Sequence, residues 1–415
     1  MSTTAIGAGL MVHRSLRVGL CLLAALVSLP AAAARPVTVA VLEQELSARR
    51  NVSDEALAAI LSEMALTERF PSDHLHRILS GLPGDRSREA LTVLADMSTF
   101  LDPAADEIPS TLPPDETTQR EVMARVVDYV AKMNHKLPNF FATRTTTRFE
   151  DWPKGLPTGT EVAARDIPPQ LVGTAKSVVT YRNGQEVMTS STAHARKKAP
   201  VYLGLYSWGE FGPMLARMLV DASRSTAAWS RWERDENSTV AVFRFSVPLD
   251  KSSYQVKFCC YPQGTFLIAI DRNSAYHGEI AVDPENGTVV SLRIIADLDQ
   301  GDVGTVLGEA MAGMPLSRAD TLIEYGPVEI GGKTYICPRR TVAISRARVT
   351  ERFTGNARSK AVFPIIVESP PQTVARPHHV DHYELGPAKT YINDTSFTDY
   401  HVFRSESRII LDGSR

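Results

Sequence analysis

Residues 277–294 read HGEIAVDPENGTVVSLRI, which is an apolar segment, a turn and a second apolar segment. In the turn, Asp283 can accept turn hydrogen bonds, Pro284 presets φ, and Gly287 supplies a positive φ. The flanking segments have large apolar residues at every second position, as at Ile280 and Val282, which is the period of a strand. The stretch therefore predicts a β-hairpin, and it favours a fold signature over a catalytic motif.

The period-two pattern of this hairpin recurs over most of the second half of the chain. A second tight turn is predicted at Gly331-Gly332, between two further apolar segments. Short strands separated by turn residues are typical of antiparallel sheets. The predicted strands are 141–150, 175–182, 240–247, 253–260, 265–270, 277–283, 288–296, 320–330, 333–346 and 396–411.

One helix is predicted among these strands, over residues 211–223. Pro213 lies in its first turn, where the missing N–H of proline costs little. The apolar residues fall on one helical face, which suits a helix that covers one side of a sheet. They are Phe211, Leu215, Met218, Leu219 and Ala222.

The first part of the chain has a helical period instead. Residues 35–100 predict a region of three short helices. Residues 101–115 are rich in proline and acids and predict a linker, and 116–136 predict an amphipathic helix that begins a domain over 116–415. The sequence therefore predicts an α+β fold, with an N-terminal helical region followed by a curved antiparallel β-sheet (half-barrel) covered by helices.

The N-terminus has the pattern of a secretory signal peptide over residues 1–34. Arg14 and Arg17 precede an apolar run, 18–29, that is too short to span a bilayer, and alanines 31–34 supply an Ala-x-Ala cleavage site. Cleavage there predicts a periplasmic or secreted protein. The alternative is an uncleaved segment that holds the protein on a membrane. No later stretch has the apolar length of a transmembrane helix.

Composition and charge narrow the class of protein. The 415-residue chain is 43% hydrophobic and 22% charged, as in ordinary globular proteins. Its formal charge of −2 becomes −4 without residues 1–34, which contain two arginines and no acid. A near-neutral protein lacks the basic face that binds nucleic acid. Three cysteines remain, and either one of the pair Cys259 and Cys260 bridges to Cys337 or the thiols are buried.

Motifs with a catalytic spacing are incomplete. Residues 326–334, GPVEIGGKT, have one residue too many for a phosphate-binding loop and precede β-like sequence instead of a helix. Ser207 lies in GLYSWG, which resembles a nucleophile elbow with one extra residue, so a hydrolase that uses Ser207 is a rival hypothesis. Glu279 and Asp283 share a strand face, but no neighbouring residue supports an acid–base role.

The densest set of potential metal ligands is His378, His379 and His382, beside Asp381. On a strand, Val380 would stand between His378 and His382, so the three histidines converge only if they lie on a loop. These residues are weak metal candidates. No catalytic residue and no cofactor is predicted from them.

Two short motifs carry a family resemblance. They are the turn DPENG (283–287) followed by a strand with Arg293, and the run FTDY (397–400) followed by Phe403. On these motifs, residues 240–411 resemble the half-barrel of the LolA-like lipoprotein-sorting proteins. The resemblance implies a half-barrel fold and an acyl lipid or a lipoprotein as the bound partner. The N-terminal helices and the linker have no counterpart in that family.

Two longer stretches carry a second resemblance. They are LTERFPSDHLHRILSGLPGDRSREALTVLADMSTFLDP (66–103) and LPNFFATRTTTRFED (137–151). Together with most of the remaining chain, they are similar to a family of secreted acidobacterial proteins. This resemblance implies that the protein is secreted, and it implies no particular activity.

The leading hypothesis is a noncatalytic extracytoplasmic protein that holds a lipid or a lipid-modified partner in the concave face of the sheet. The alternative is an envelope interaction or scaffold protein with a closed core and a protein partner, since a period of two does not distinguish a hollow sheet from a filled one. A secreted hydrolase or a metal-dependent enzyme is the third hypothesis. The predicted cavity-lining residues are Phe243, Phe245, Phe266, Ile268, Ile280 and Val282.

Overall fold

The computed structural model describes residues 34–151, 168–187, 204–235, 238–263, 266–298, 316–353 and 382–403. The predicted α+β class is confirmed. Ten strands form one large antiparallel sheet that does not close into a barrel, and helices cover both of its faces. We call the side that carries most of the apolar core the inner face and the opposite side the outer face.

The N-terminal unit consists of four helices and a parallel pair of short strands. Its elements are β1 (Arg35–Val37), α1 (Val39–Ala48), α2 (Asp54–Ser62), β2 (Met64–Leu66), α3 (Ser72–Leu79) and α4 (Asp85–Ser98). Ser53 caps α2 by accepting the N–H of Ala56 at 3.4 Å. The carboxylate of Asp54 accepts the N–H of Ser87 at 2.8 Å, so it satisfies one unpaired donor in the first turn of α4. The unit has its own apolar core around Leu42, Leu61 and Leu91.

The large sheet has the strand order β5-β4-β3-β15-β14-β13-β12-β11-β8-β7. Its strands are β3 (Phe140–Glu150), β4 (Gln170–Arg182), β5 (Gln185–Val187), β7 (Thr226–Asp235), β8 (Ser238–Val247), β11 (Ala275–Val282), β12 (Val289–Asp297), β13 (Leu316–Ile330), β14 (Lys333–Phe353) and β15 (His382–Val402). All of its neighbouring pairs are antiparallel. In the strand order, β7 is the last strand at one end of the sheet, and β4 lies next to the short strand β5 at the other end.

Helices and a small second sheet pack on the inner face. They are α5 (Glu116–Lys136), α6 (Pro213–Ser223), β6 (Gly204–Leu205), β9 (Gln255–Gln263) and β10 (Phe266–Asn273). Val126 of α5 and Leu215 of α6 are fully buried in the same cluster as Leu292 of β12. The predicted helix over 211–223 is thus present, and it covers the sheet as expected.

The N-terminal unit packs on the outer face. Val93 of α4 joins an apolar cluster with Leu322 of β13, Val342 of β14 and Ile392 of β15. The segment that follows α4 runs beside β7, where Trp232 donates to the carbonyl oxygen of Leu112 at 3.0 Å. A short 3₁₀ turn (Ala105–Glu107) lies in that segment.

The predicted hairpin at 277–294 is confirmed as β11 and β12. Asp283 and Thr288 close the turn through an N–H donated by Asp283 at 2.8 Å, and Gly287 has a φ of 75°. The side chain of Asp283 accepts the N–H of Glu285 at 2.8 Å. The turn therefore uses the hydrogen bonds and the positive φ that its sequence predicts.

Several elements were not predicted. Helix α1, the paired strands β1 and β2, and β7 are absent from the sequence prediction. The last strand, β15, begins at His382, well before the predicted 396, because it pairs with β14 along most of its length. Residues 404–411 of the predicted strand and residues 1–33 of the predicted signal peptide lie outside the described residues.

Candidate functional site

Four of the six predicted cavity-lining residues lie on the inner face. Phe243 and Phe245 of β8 and Ile280 and Val282 of β11 are buried in the main apolar cluster. Phe243 is opposite Ile280 in the strand register. Phe266 and Ile268 are in β10, and their side chains lie outside the part of the chain that the structure describes.

The inner face beside these residues is filled. Met214, Leu215 and Met218 of α6 belong to the same buried cluster as Phe243. A cavity of about 10 Å³ remains between Met218, Phe243 and Phe245, which has room for about one water molecule. The described residues therefore enclose a packed core at this place, and an acyl chain enters it only if α6 moves.

The metal candidates are only partly described. His378 and His379 lie outside the described residues, and His382 begins β15 with a side chain that is also outside them. Among the described residues, no group of three or more metal-ligating side chains converges.

The predicted disulfide between the cysteine pair and Cys337 is wrong. Cys337 is a free thiol buried beside the inner face, and Cys259 is disulfide-bonded. Burial raises the pKa of the Cys337 thiol to about 12, so the thiol is protonated and poorly reactive. The alternative of a buried thiol describes Cys337.

Residues 326–334, which resemble a phosphate-binding loop, include the turn between β13 and β14. Gly331 and Gly332, with φ of 60° and 76°, connect β13 to β14, and Lys333 begins β14. A phosphate cradle needs a helix N-terminus directly after the glycines, and here a strand follows. The prediction of a hairpin at this site is confirmed.

Ser207 lies in a buried polar cluster just before α6. Its hydroxyl donates to the carboxylate of Glu210 at 2.6 Å, and Arg144 of β3 donates to the same oxygen at 3.2 Å. Glu210 is fully buried, and its second carboxylate oxygen has no partner among the described residues. No histidine in the described part of the chain hydrogen-bonds Ser207. This geometry holds the loop in place and does not complete the triad of a hydrolase.

A second carboxylate, Glu186 of β5, supports the same loop. Its two oxygens accept the N–H of Gly209 at 3.1 Å and the N–H of Phe211 at 2.9 Å. Gly209 and Gly212 have φ of 88° and 135°, so the loop turns sharply into α6. Burial, and then repulsion from Glu210, raise the pKa of Glu186 to about 8.

Glu186→Gln is expected to flatten the pH dependence of stability. Because the pKa of Glu186 is higher in the folded state than in the unfolded state, the folded state binds more protons between about pH 5 and 8. Wild-type stability should therefore fall across this window as the pH rises, and the Gln variant should lose less. Urea unfolding at pH 5, 6.5 and 8 measures the difference. Parallel profiles for the two proteins would contradict the assignment.

The outer face carries a cluster of arginines and glutamates. Arg231 of β7 donates to both carboxylate oxygens of Glu279 at 2.7 Å, and Arg244 of β8 donates to Glu279 at 2.9 Å. Arg231 also pairs with Glu233, and Arg69 of the N-terminal unit pairs with the other oxygen of Glu233. The arginines lower the pKa of Glu279 to about 2, against the opposing effect of burial, so Glu279 is charged and is not a general acid.

A second charged cluster joins the N-terminal unit to the sheet. Arg340 of β14 pairs with Asp96 of α4 and with Asp394 of β15, the latter at 3.0 Å, while Glu324 lies at 3.8 Å. Asp96 is fully buried, and burial followed by repulsion from Asp394 raises its pKa. Ser72 of α3 donates to Glu324.

The sequence prediction missed both charged clusters. Its only candidate among them was Glu279, considered together with Asp283, and the structure places Asp283 in the turn and Glu279 among arginines. One local signal was available, since Arg244 stands between the inner-facing Phe243 and Phe245 and therefore marks the outer face. The partners of each arginine come from distant parts of the chain and leave no local pattern.

Comparisons with protein-family models, with curated proteins and with solved structures found no match. The resemblances to the LolA-like proteins and to the secreted acidobacterial family stay predictions. Within the described ranges, no helix has the length and apolar character needed to cross a membrane.

Proposed function

We propose that this chain is a noncatalytic extracytoplasmic interaction protein with a closed core, and that its partner is another protein of the cell envelope. The observation that carries the proposal is the packing of α5 and α6 on the inner face around Phe243 and Phe245. Phe243 and Phe245 contact a layer of helices there, with space for about one water molecule between them. Burial of each such side chain stabilises the fold by roughly 1.5–3 kcal/mol, which favours a filled core over an empty carrier site.

The docking surface that we propose is the free edge of β4. Strand β5 pairs only with residues 180–182 of β4, so the edge over 170–179 has no strand partner among the described residues. The side chains there are largely exposed, including Leu171 at 41% and Val178 at 58%, and Lys176 is the only charged residue. Long edges of low charge can pair with an added strand.

The edge at the opposite end of the sheet, strand β7, is covered by the segment that follows α4. Beside β7, Arg234 donates to the carbonyl oxygen of Asp106 at 2.7 Å, and Trp232 donates to that of Leu112. Covering an edge with a loop is a usual way to prevent strand addition. The contrast between the two ends supports a partner that adds an extended segment to β4.

A photo-crosslinking experiment in the producing organism tests the docking surface. A photoreactive amino acid replaces Val178 on β4 or, as the matched control, Val220, an exposed valine on α6. We expect one discrete protein adduct from position 178 and none from position 220. The double change Leu171→Lys and Val172→Lys should remove that adduct, because charges on an edge oppose strand addition. Equal adducts from both positions, or none from 178, would refute the proposal.

Lipid binding in the concave face is the second candidate function. One observation favours it: Met214, Met218 and Met123 contribute to the layer over Phe243 and Phe245, and methionine side chains repack easily around a ligand. Native mass spectrometry of protein purified from its own host separates the two functions. The interaction protein should show the mass of the bare polypeptide. An acyl-sized adduct that disappears on denaturation would replace the closed-core proposal with the carrier.

A further inference from the structure

One arginine of the outer face lacks a carboxylate partner. Arg293 of β12 lies directly across from Glu279 of β11, which lies across from Arg244 of β8. Its Nη1 donates to the hydroxyl of Ser291 at 3.4 Å, and its Nε has no hydrogen-bond partner among the residues that the structure describes. Among the described residues, no carboxylate oxygen lies within 4.0 Å of its guanidinium.

The neighbouring glutamates are already engaged. Glu279 accepts hydrogen bonds from Arg231 and Arg244, and Glu233 pairs with Arg69 and Arg231. Two further acids lie nearby: Asp102 is solvent-exposed at 3.7 Å from Arg244, and Glu324 is engaged by Arg340 and by the hydroxyl of Ser72. Each of these acids is thus engaged elsewhere or exposed, and Arg293 has no ion pair within the described part of the chain.

The surroundings of Arg293 disfavour its charged form. Burial, and then repulsion from Arg69, lower the pKa of Arg293 to about 10, so the group is still charged at neutral pH but in an unfavourable environment. A guanidinium prefers planar oxyanions, which it binds through two parallel N–H groups. An oxyanion beside Arg293 would supply the missing partner.

The space for such a group is present. Arg293 lines a cleft of about 640 Å³ between the N-terminal unit and the outer face, together with Arg69, Arg244, Phe100 and Glu279. It also lines an adjoining cleft of about 530 Å³ on its other side. Arg244 is more than half exposed, so it lies where the cleft opens to solvent.

We propose that Arg293, flanked by Arg69 and Arg244, binds a small oxyanion, a phosphate or a carboxylate group, in the cleft between the N-terminal unit and the outer face of the sheet. The site is separate from the inner face and from the β4 edge. Arg293 makes the direct contact, and Arg69 and Arg244 line the same cleft beside it. Because Glu279 and Glu233 are neutralised by their own arginines, they do not exclude the anion.

Calorimetric titration with inorganic phosphate and, separately, with acetate tests the site and distinguishes the two sources of oxyanion. The full chain is kept in chloride buffer at constant ionic strength, so that general screening is the same throughout. We expect saturable binding of at least one of the two anions. Arg293→Met should weaken it at least tenfold, whereas Arg217→Met, which removes an exposed arginine of α6, should leave it unchanged.

The stability of the variants completes the test. Without added anion, Arg293→Met should melt at the same temperature as the wild type or higher, since it removes an unpaired charge. Arg293→Lys keeps the charge and loses the planar fork, so it should fold and bind at least tenfold more weakly. Absence of saturable binding for both anions, or wild-type binding by Arg293→Met, would overturn the proposal.

Discussion

Replacing Arg340 with methionine is expected to lower the free energy of unfolding by about 3–5 kcal/mol. Arg340 is the only cation within 4.0 Å of Asp96 and Asp394 in the described part of the chain, and Glu324 lies at the edge of the same group. Its removal leaves the buried Asp96 facing the partly buried Asp394 and Glu324 across the junction between α4 and the sheet. Chemical denaturation followed by circular dichroism at pH 7 measures the loss.

The neighbouring residue provides the matched control for Arg340. Arg339 is exposed and makes none of these ion pairs, so Arg339→Met should change the stability by less than about 0.5 kcal/mol. The deficit of Arg340→Met should also shrink as the pH falls from 7 towards 4, because protonation relieves the repulsion among the carboxylates. A loss that is the same at both pH values would mean that packing, and not charge, explains the effect of Arg340.

The parts of the fold that were predictable are those set by local sequence. The turn at 283–287 combines three residue types with known backbone preferences, and the strands beside it have large apolar residues at every second position, as at Ile280 and Val282 and at Leu292 and Ile294. Pro213 and the apolar face behind it predicted α6 almost to the residue. Helix α1 was missed because only Val39 and Leu42 of its ten residues are buried, so its apolar stripe is narrow.

The charged clusters were not predictable because sequence separation hides their partners. Arg69 and Glu233 are 164 residues apart, and Arg340 and Asp96 are 244 apart. Only the strand register and the docking of the N-terminal unit bring these side chains together. The role of Ser207 was not predictable for the same reason. Its motif resembles a nucleophile elbow, but its hydroxyl donates to Glu210, a buried carboxylate that Arg144 of the distant strand β3 also contacts.

Whether the inner face is hollow or filled also lay beyond the sequence. Phe243 and Phe245, like Ile280 and Val282, stand two residues apart in either case, and the distinction depends on how closely α5 and α6 approach the sheet. The hairpin turn itself takes part in that approach. Arg125 of α5 donates to the carbonyl oxygen of Pro284 at 2.8 Å, so the turn is attached directly to the helix.

Gly287→Ala is therefore expected to destabilise the protein by about 2–5 kcal/mol, through two separate costs. The first is the positive φ of 75°, which an L-residue adopts with strain. The second is steric, because a Cβ at Gly287 would lie 2.4 Å from the carbonyl carbon of Arg125 and 2.6 Å from the backbone nitrogen of Val126. Backbone atoms of a helix cannot move aside as a flexible side chain can, so the turn and α5 must separate.

Gly332→Ala isolates the first of these costs. Gly332 has a φ of 76° in the β13–β14 turn, and no heavy atom of a described residue, its two chain neighbours aside, lies within 4 Å of the position that its Cβ would take. Its loss should be only about 1–2 kcal/mol, the strain of the left-handed backbone. The difference between the two variants in urea unfolding then measures the contact between the hairpin and α5. Equal losses would mean that the turn at 283–287 does not hold α5, and that its sequence specifies a hairpin without also positioning the helix that packs on the inner face.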